Sequence, residues 1–276
     1  MYKGVNNHPA HLVIDIGNTL CKAAVFKGSE MVALWTGKLP DKAAVDQLVQ
    51  TWQPGAAILS SVRKNGTSHQ PLHRFIHEYP FPVLTAGPDL SLPVTNLYKT
   101  PETLGSDRIA AAIAAQHFFP GQNTLVINTG TCLTTDFLTK NNEYLGGTIA
   151  PGLQMRFKSL NRFTGNLPLV EINPAQKKSG PAAVKPEADN GNQPEIPDLP
   201  GQSTRDSILA GVIRGMTAEI DGLIDQWREK ISFFNVIMSG GDAKTFDKKL
   251  KNRIFAVENI VLYGLNLMLK HNAQHL

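Results

Sequence analysis

The sequence predicts an α/β protein built by duplicating one strand–turn–strand unit, and three observations predict it. Short β-branched apolar runs alternate with segments of helical spacing. LVIDIGNTLCKAAVF (residues 12–26) and LVINTGTCLTTDFL (125–138) are two versions of one device: an apolar strand, a Gly/Thr turn and a second apolar run. The 276 residues are 42 % hydrophobic and 18 % charged, enough to bury a core and too apolar for a disordered regulator.

The elements follow in order. Residues 11–16, 20–28 and 31–35 read as strands separated by Gly-Asn-Thr and Lys-Gly turns. Ala44, Val45, Leu48, Val49 and Trp52 give helical spacing to 41–52. A strand at 56–60, a short helix at 71–79 and a strand at 82–85 follow. Pro93 and Pro101 mark 92–105 as loop. Ser106 or Asp107 is a natural N-cap for the Ala-rich helix from Ile109, which Pro120-Gly121 stops. The expected domain boundary lies there, giving 1–120 and 121–276. Beyond it come the second strand–turn–strand unit, a Gly/Pro turn at 146–152 and a helix at 153–164. Residues 174–200, rich in Pro, Lys, Glu and Gly, read as a mobile surface loop. A long helix at 207–230, a strand at 235–238 entering Ser239-Gly240-Gly241-Asp242, and a closing helix at 259–271 complete the chain.

Composition narrows the function. No apolar stretch approaches the ~18 residues of a spanning helix, and the first residues carry no secretory signal. A cytoplasmic protein is expected. Cys21 and Cys132 are too few for a disulfide scaffold, lack the neighbours of a zinc site, and read as small buried hydrophobes. The net charge of +4 and pI near 9.0 suit an anionic small molecule. The basic residues are scattered and accompany no nucleic-acid motif, so neither nucleic acid nor membrane is an expected partner.

The chemistry lies in Gly-rich turns that each follow a strand: Asp15–Thr19, Asn128–Thr131 and Ser239–Asp242. Glycine lets backbone N–H groups approach phosphate oxygens, and the Thr19 and Thr131 hydroxyls add donors. An Asp at the end of the first strand can hold Mg²⁺, directly or through water. None of the turns fits G-x-x-x-x-G-K-[ST] or G-x-G-x-x-G. Taken singly, the residues keep plainer readings. Asp107 could merely cap its helix with Arg108 on the solvent face, Asp136 could be a turn residue, Lys22 a solvated strand residue, and Asp242 a helix cap.

Taken together, they resemble a known family. Asp15-x-Gly17-Asn18-Thr19-x-x-Lys22 resembles the first phosphate motif of the type III pantothenate kinases, which belong to the actin, sugar-kinase and Hsp70-like ATPase superfamily. Gly105-Ser106-Asp107-Arg108 resembles the family's Gly-x-Asp-Arg, with Tyr98 matching the Tyr upstream. Gly130-Thr131-x-x-Thr134-x-Asp136, Gly146-Gly147-x-Ile149-x-Pro151-Gly152, Thr204 with Gly211, and Ser239–Asp242 continue the match in order. The resemblance implies two duplicated ribonuclease-H-like (actin-like ATPase) domains with nucleotide in the cleft between them. It implies ATP-dependent phosphorylation of pantothenate, the first step of coenzyme A biosynthesis, by a homodimer. Asp15, Gly17, Asn18, Thr19, Lys22, Gly130, Thr131 and Thr139 would hold ATP, with Mg²⁺ at Asp15. Asp107 would be the general base. Tyr98, Gly105, Ser106, Asp107 and Arg108 would hold pantothenate, joined by Thr204 from the partner subunit. Asp136 would ligate a monovalent cation, K⁺ or NH₄⁺.

The sequence departs from the family pattern at Asn128, where the family carries Asp, at Cys132 and Gly165, where it carries Ala, and in the length of 174–194. Asn128 alone points to a rival reading, a catalytically weak nucleotide-binding regulator. The intact Asp15, Asp107, Arg108 and Asp136 point away from it.

Overall fold

Two mixed sheets with one topology carry the chain in a computed structural model, which describes residues 9–61, 70–172 and 196–273. The first half contributes β1 (Ala10–Ile16), β2 (Cys21–Lys27), β3 (Glu30–Gly37), α1 (Lys42–Trp52), β4 (Pro54–Ser61), α2 (Gln70–Ile76) and β5 (Val83–Thr85). Their sheet order is β3-β2-β1-β4-β5, antiparallel from β3 to β1 and parallel from β1 to β5.

The chain continues through β6 (Thr95–Asn96), a 3₁₀ turn at Pro101–Thr103, α3 (Ser106–Phe118), β7 (Thr124–Thr129), β8 (Cys132–Leu138), β9 (Glu143–Pro151) and α4 (Leu153–Phe163). It ends with α5 (Thr204–Lys230), β10 (Asn235–Ser239), α6 (Ala243–Phe246), β11 (Phe255–Ala256) and α7 (Ile260–Asn272). The second sheet runs β11-β10-β7-β8-β9-β6. Its run β9-β8-β7-β10-β11 repeats the first sheet strand for strand, with the same directions. The duplication read from residues 12–26 and 125–138 is therefore a duplication of whole sheets.

The apolar runs are continuous because both faces of each central strand are covered. Leu12 and Ile14 of β1 pack with Val45, Leu72 and Ile76 on one face, while Val13 joins the cluster of α3 and α7 on the other. In β7, Val126 joins that same α3–α7 cluster, whereas Leu125 and Ile127 pack with α4 and α5. Helices α3 and α7 thus lie between the two sheets. The alanines of α3 let α7 approach closely: a Cβ on Gly264 would fall 1.7 Å from the Ala110 carbonyl oxygen.

Some expectations change. The N-cap of α3 is Gly105, not Ser106 or Asp107. Residues 146–151 are strand rather than turn, because the glycines there serve close approach. A Cβ on Gly147 would lie 1.7 Å from the Thr135 carbonyl oxygen of the neighbouring strand. The loop 92–105 contains β6 and the 3₁₀ turn. Most of the loop expected at 174–200 lies outside the described residues. Three of the described elements cross between sequence halves: β6 pairs with β9 and α3 packs against β8 of the second sheet, while α7 packs against β1 of the first.

Candidate active site

The three Gly-rich turns converge. At the end of β1 the chain reverses tightly, Gly17 N–H donating to the Leu20 carbonyl at 3.1 Å. A Cβ on Gly17 would sit 2.8 Å from that oxygen. At the end of β7 the equivalent bond runs from Gly130 N–H to the Cys132 carbonyl at 3.0 Å. The two turns touch through the Thr19 and Thr131 hydroxyls, 2.9 Å apart. The third turn lies on the second: Asp242 N–H donates to the Thr129 carbonyl at 3.1 Å. Gly240 (φ +104°) has no room for a Cβ, which would meet Thr129 at 2.5 Å and Asn128 Oδ1 at 2.7 Å.

A hydroxyl chain joins the first turn to α3. Ser60, the polar end of the apolar strand β4, donates to Asp15 Oδ1 at 3.1 Å. Its Oγ is 3.0 Å from Ser106 Oγ, so Ser106 is the donor in that contact. Asp107 follows, its carboxylate accepting the Arg108 N–H at 2.9 Å. Lys22 stands opposite Asp15 in the β1–β2 register and donates from Nζ to Asn259 Oδ1 at 2.9 Å.

The electrostatics follow from enclosure. Burial, then the Asp107 charge, pushes the Asp15 carboxyl up to about 6, against the pull of Ser60 and Lys22. Burial raises Asp107, with the Arg108 N–H and guanidinium opposing, and raises Asp242 to about 6. Burial lowers Lys22, while Asp15 and Glu258 oppose it. Carboxylates raised in this way attract a cation or a proton. Among the described residues no three His, Cys, Asp or Glu side chains gather as a metal cage. Asp15 beside the Ser60 hydroxyl suits Mg²⁺ completed by phosphate and water oxygens.

Beside Asp107 lies a second cluster. Arg108 Nη2 and Nε donate to Asp136 Oδ1 at 2.7 and 3.0 Å, and the Tyr144 hydroxyl donates to the same oxygen at 2.6 Å. Burial opposes the Arg108 charge, but Asp136 and the tyrosines more than offset it, so its pKa rises. Burial pushes Asp136 up to about 6 against the pull of Arg108 and Tyr144. The Tyr98 ring lies 5.7 Å from the Arg108 guanidinium. It packs on Gly146 (φ +91°), where a Cβ would come within 2.9 Å of the ring.

The model of the type III pantothenate kinase family matches residues 11–226. The chain belongs to this family. It is 39 % identical over 264 residues to the type III pantothenate kinase of Phocaeicola vulgatus, covering 95 % of this chain and 98 % of that one. It is 38 % identical over 262 residues to that of Christiangramia forsetii, again covering 95 % and 98 %. In fold it is similar to a conserved Baf family protein from Campylobacter jejuni (TM-score 0.51, 18 % identity, 95 % and 99 % covered). The Lmo2764 protein of Listeria monocytogenes is likewise similar (TM-score 0.51, 12 % identity, 95 % and 99 % covered). The duplicated sheets make the actin-like fold.

In this pantothenate kinase family member, Asp15, Gly17, Thr19, Lys22, Gly130, Thr131, Ser106 and Asp107 come together. Thr139 does not join them. It sits in the β8–β9 turn, donating to Glu143 at 3.1 Å. Thr131 lies at the other end of β8, roughly 25 Å away at strand rise. Thr204 opens α5 on the face of the second sheet away from α3, and lines a cavity of about 750 Å³ with Arg156, Leu160 and Ile208. The positive charge met by Asp136 is Arg108 rather than the expected cation. Sequence reasoning missed Ser60, Asn259 and Tyr144. Only Ser60 carried a signal, as a polar residue ending an apolar strand.

Proposed function

We propose that this kinase transfers the γ-phosphoryl group of ATP to the hydroxyl of pantothenate, giving 4′-phosphopantothenate for coenzyme A synthesis. The observation that carries the reading is the meeting of the duplicated turns at Thr19 and Thr131, 2.9 Å apart, with the Asp15–Ser60–Ser106 chain leading to Asp107. Phosphoryl transfer asks for positioning and charge stabilisation rather than covalent help. The backbone and hydroxyls of Asp15–Lys22 and Gly130–Thr131 hold the phosphates. Asp15 would hold Mg²⁺, which when bound would supply positive charge for the phosphoryl oxygens. Asp107 takes the acceptor hydroxyl proton, a role its raised pKa favours. Tyr98 and Gly105–Arg108 line the acceptor side. The halves 1–120 and 121–276 serve as lobes that close on the nucleotide.

Thr204 reaches an acceptor only from a second copy of the chain. Exposed Met155 and Phe163 on α4, beside its cavity, support a homodimer through this face. Action in the cytoplasm accords with the use of ATP. A monovalent cation at Asp136 does not fit the donors present, since the Arg108 guanidinium already meets its charge and, with Tyr144, takes up Oδ1. The regulator reading has Asn128 alone in its favour.

The test is pantothenate phosphorylation by the wild type and Asp107→Asn, in K⁺ and in Na⁺. The variant should lose about 10²–10⁴-fold in kcat while still binding ATP. A wild type that binds ATP without turnover refutes the kinase reading. An undiminished variant removes Asp107 as base.

A further inference from the structure

Asp136 is 1 % exposed and Arg108 6 %. One carboxylate oxygen receives two guanidinium N–H groups and the Tyr144 hydroxyl. The guanidinium also leans on the Thr135 carbonyl at 3.5 Å. Among the described residues no buried side-chain polar atom lacks a partner, so this enclosure is complete. The single negative charge is met in full, and a second cation beside the guanidinium would meet strong repulsion in a low-dielectric interior.

The pair sits where it can govern the site. Arg108 is the next residue after Asp107, and its N–H is held by the Asp107 carboxylate at 2.9 Å. Its side chain reaches 28 residues along the chain to mid-β8. The first turn of α3 is therefore tied to the second sheet through one ion pair. The same guanidinium supports the Tyr98 ring at 5.7 Å, and Tyr98 lies 6.2 Å from the ring of Tyr144. A buried ion pair adds little net stability compared with apolar packing. What it supplies is a fixed direction for both partners.

We infer that Asp136 and Tyr144 are positioning residues that clamp Arg108 inward, and so hold Asp107 and the Tyr98 wall in register with the acceptor hydroxyl. Arg108 then serves the acceptor by holding its pocket rather than by pairing with the acceptor carboxylate. This rests on the kinase reading of Asp107, and wild-type turnover tests that reading separately.

The experiment measures kcat, both KM values and the half-activating K⁺ concentration for wild type, Tyr144→Phe and Asp136→Asn. Tyr144→Phe keeps the ring and deletes one donor. Its kcat should fall about fivefold, the worth of one hydrogen bond. Asp136→Asn releases the guanidinium, and kcat should fall about 10²-fold, as for a catalytic group displaced by about an ångström. In both, KM for ATP and the K⁺ half-activation should stay at the wild-type values. A merely structural role would lower the active fraction, counted by ATP-binding stoichiometry, and leave turnover per active site intact. That result overturns the inference. So does a K⁺ half-activation that rises in Asp136→Asn, or a Tyr144→Phe indistinguishable from wild type. Should Asp136→Asn fail to fold, Tyr144→Phe decides alone.

Discussion

Replacing Asp15 by Asn should make the metal-free protein more stable while removing its activity. Asp15 lies at the end of β1, held by Ser60 and facing the charge of Asp107. Moving a carboxyl from 3.8 to about 6 corresponds to about 3 kcal/mol against the fold once it is fully ionised. Asp15 is partly exposed, so solvent screening reduces that figure. The new amide N–H₂ also needs partners that a carboxylate did not, costing about 1 kcal/mol. The net gain at pH 8 is about 1 kcal/mol, or about 2–4 °C in Tm for a chain of this size. The sign with pH follows from the raised pKa. The folded state binds the proton more tightly, so the wild type carries no penalty below 3.8 and acquires all of it as pH rises through about 6. The advantage of Asp15→Asn should therefore shrink as pH falls from 8 to 4.5. Thermal unfolding by circular dichroism in EDTA, at both pH values, measures it. A variant that melts at or below wild type at pH 8, or a gain that does not shrink at pH 4.5, would refute the reasoning.

Three other outcomes follow from close contacts. Gly146→Ala forces a side chain at φ +91° and into the Tyr98 ring. It should raise KM for pantothenate about tenfold and leave KM for ATP unchanged, as steady-state kinetics will show. Gly264→Ala drives a Cβ onto the Ala110 carbonyl, backbone against backbone. It should cost about 3 kcal/mol or more, read by urea unfolding or by loss of soluble protein. Asn128→Asp adds a carboxylate at the second turn, and the half-activating Mg²⁺ concentration should fall about threefold to tenfold in a titration.

Much of the fold was legible because its signals are local. The apolar runs of β1 and β7 end at Gly/Thr turns that fix the hairpins, and the apolar spacing of Ala44 to Trp52 announces α1. What could not be read depends on partners distant in sequence. Arg108 looked like a solvent-facing or substrate-facing cation, because nothing near it reveals that Asp136 waits on β8. The glycines at 146 and 147 looked like a turn, since glycine for close approach and glycine for reversal are spelled alike. The family resemblance put Thr139 at ATP, but the extended strand β8 carries it away from the phosphate turn. The Lys22 contact with Asn259 spans 237 positions and has no local signature.

That last contact has a consequence for biosynthesis. Helix α7 begins beside Asn259, which holds Lys22, and further along Asn266 Oδ1 accepts from His11 Nδ1 of β1 across 255 positions. Both helices between the sheets start at chemistry, α3 at Asp107 and α7 at the Lys22 anchor. Yet α7 is made after every strand of both sheets. While the ribosome is still translating residues before 259, the nascent chain holds the first phosphate turn without its lysine anchor, and β1 with one face uncovered. Long-range closure of this kind is slow, so the candidate site gains its Lys22–Asn259 contact only after α7 has left the exit tunnel. Trigger-factor-like protection of β1 and β4 during that interval would matter more for this protein than for one whose site is built from neighbours.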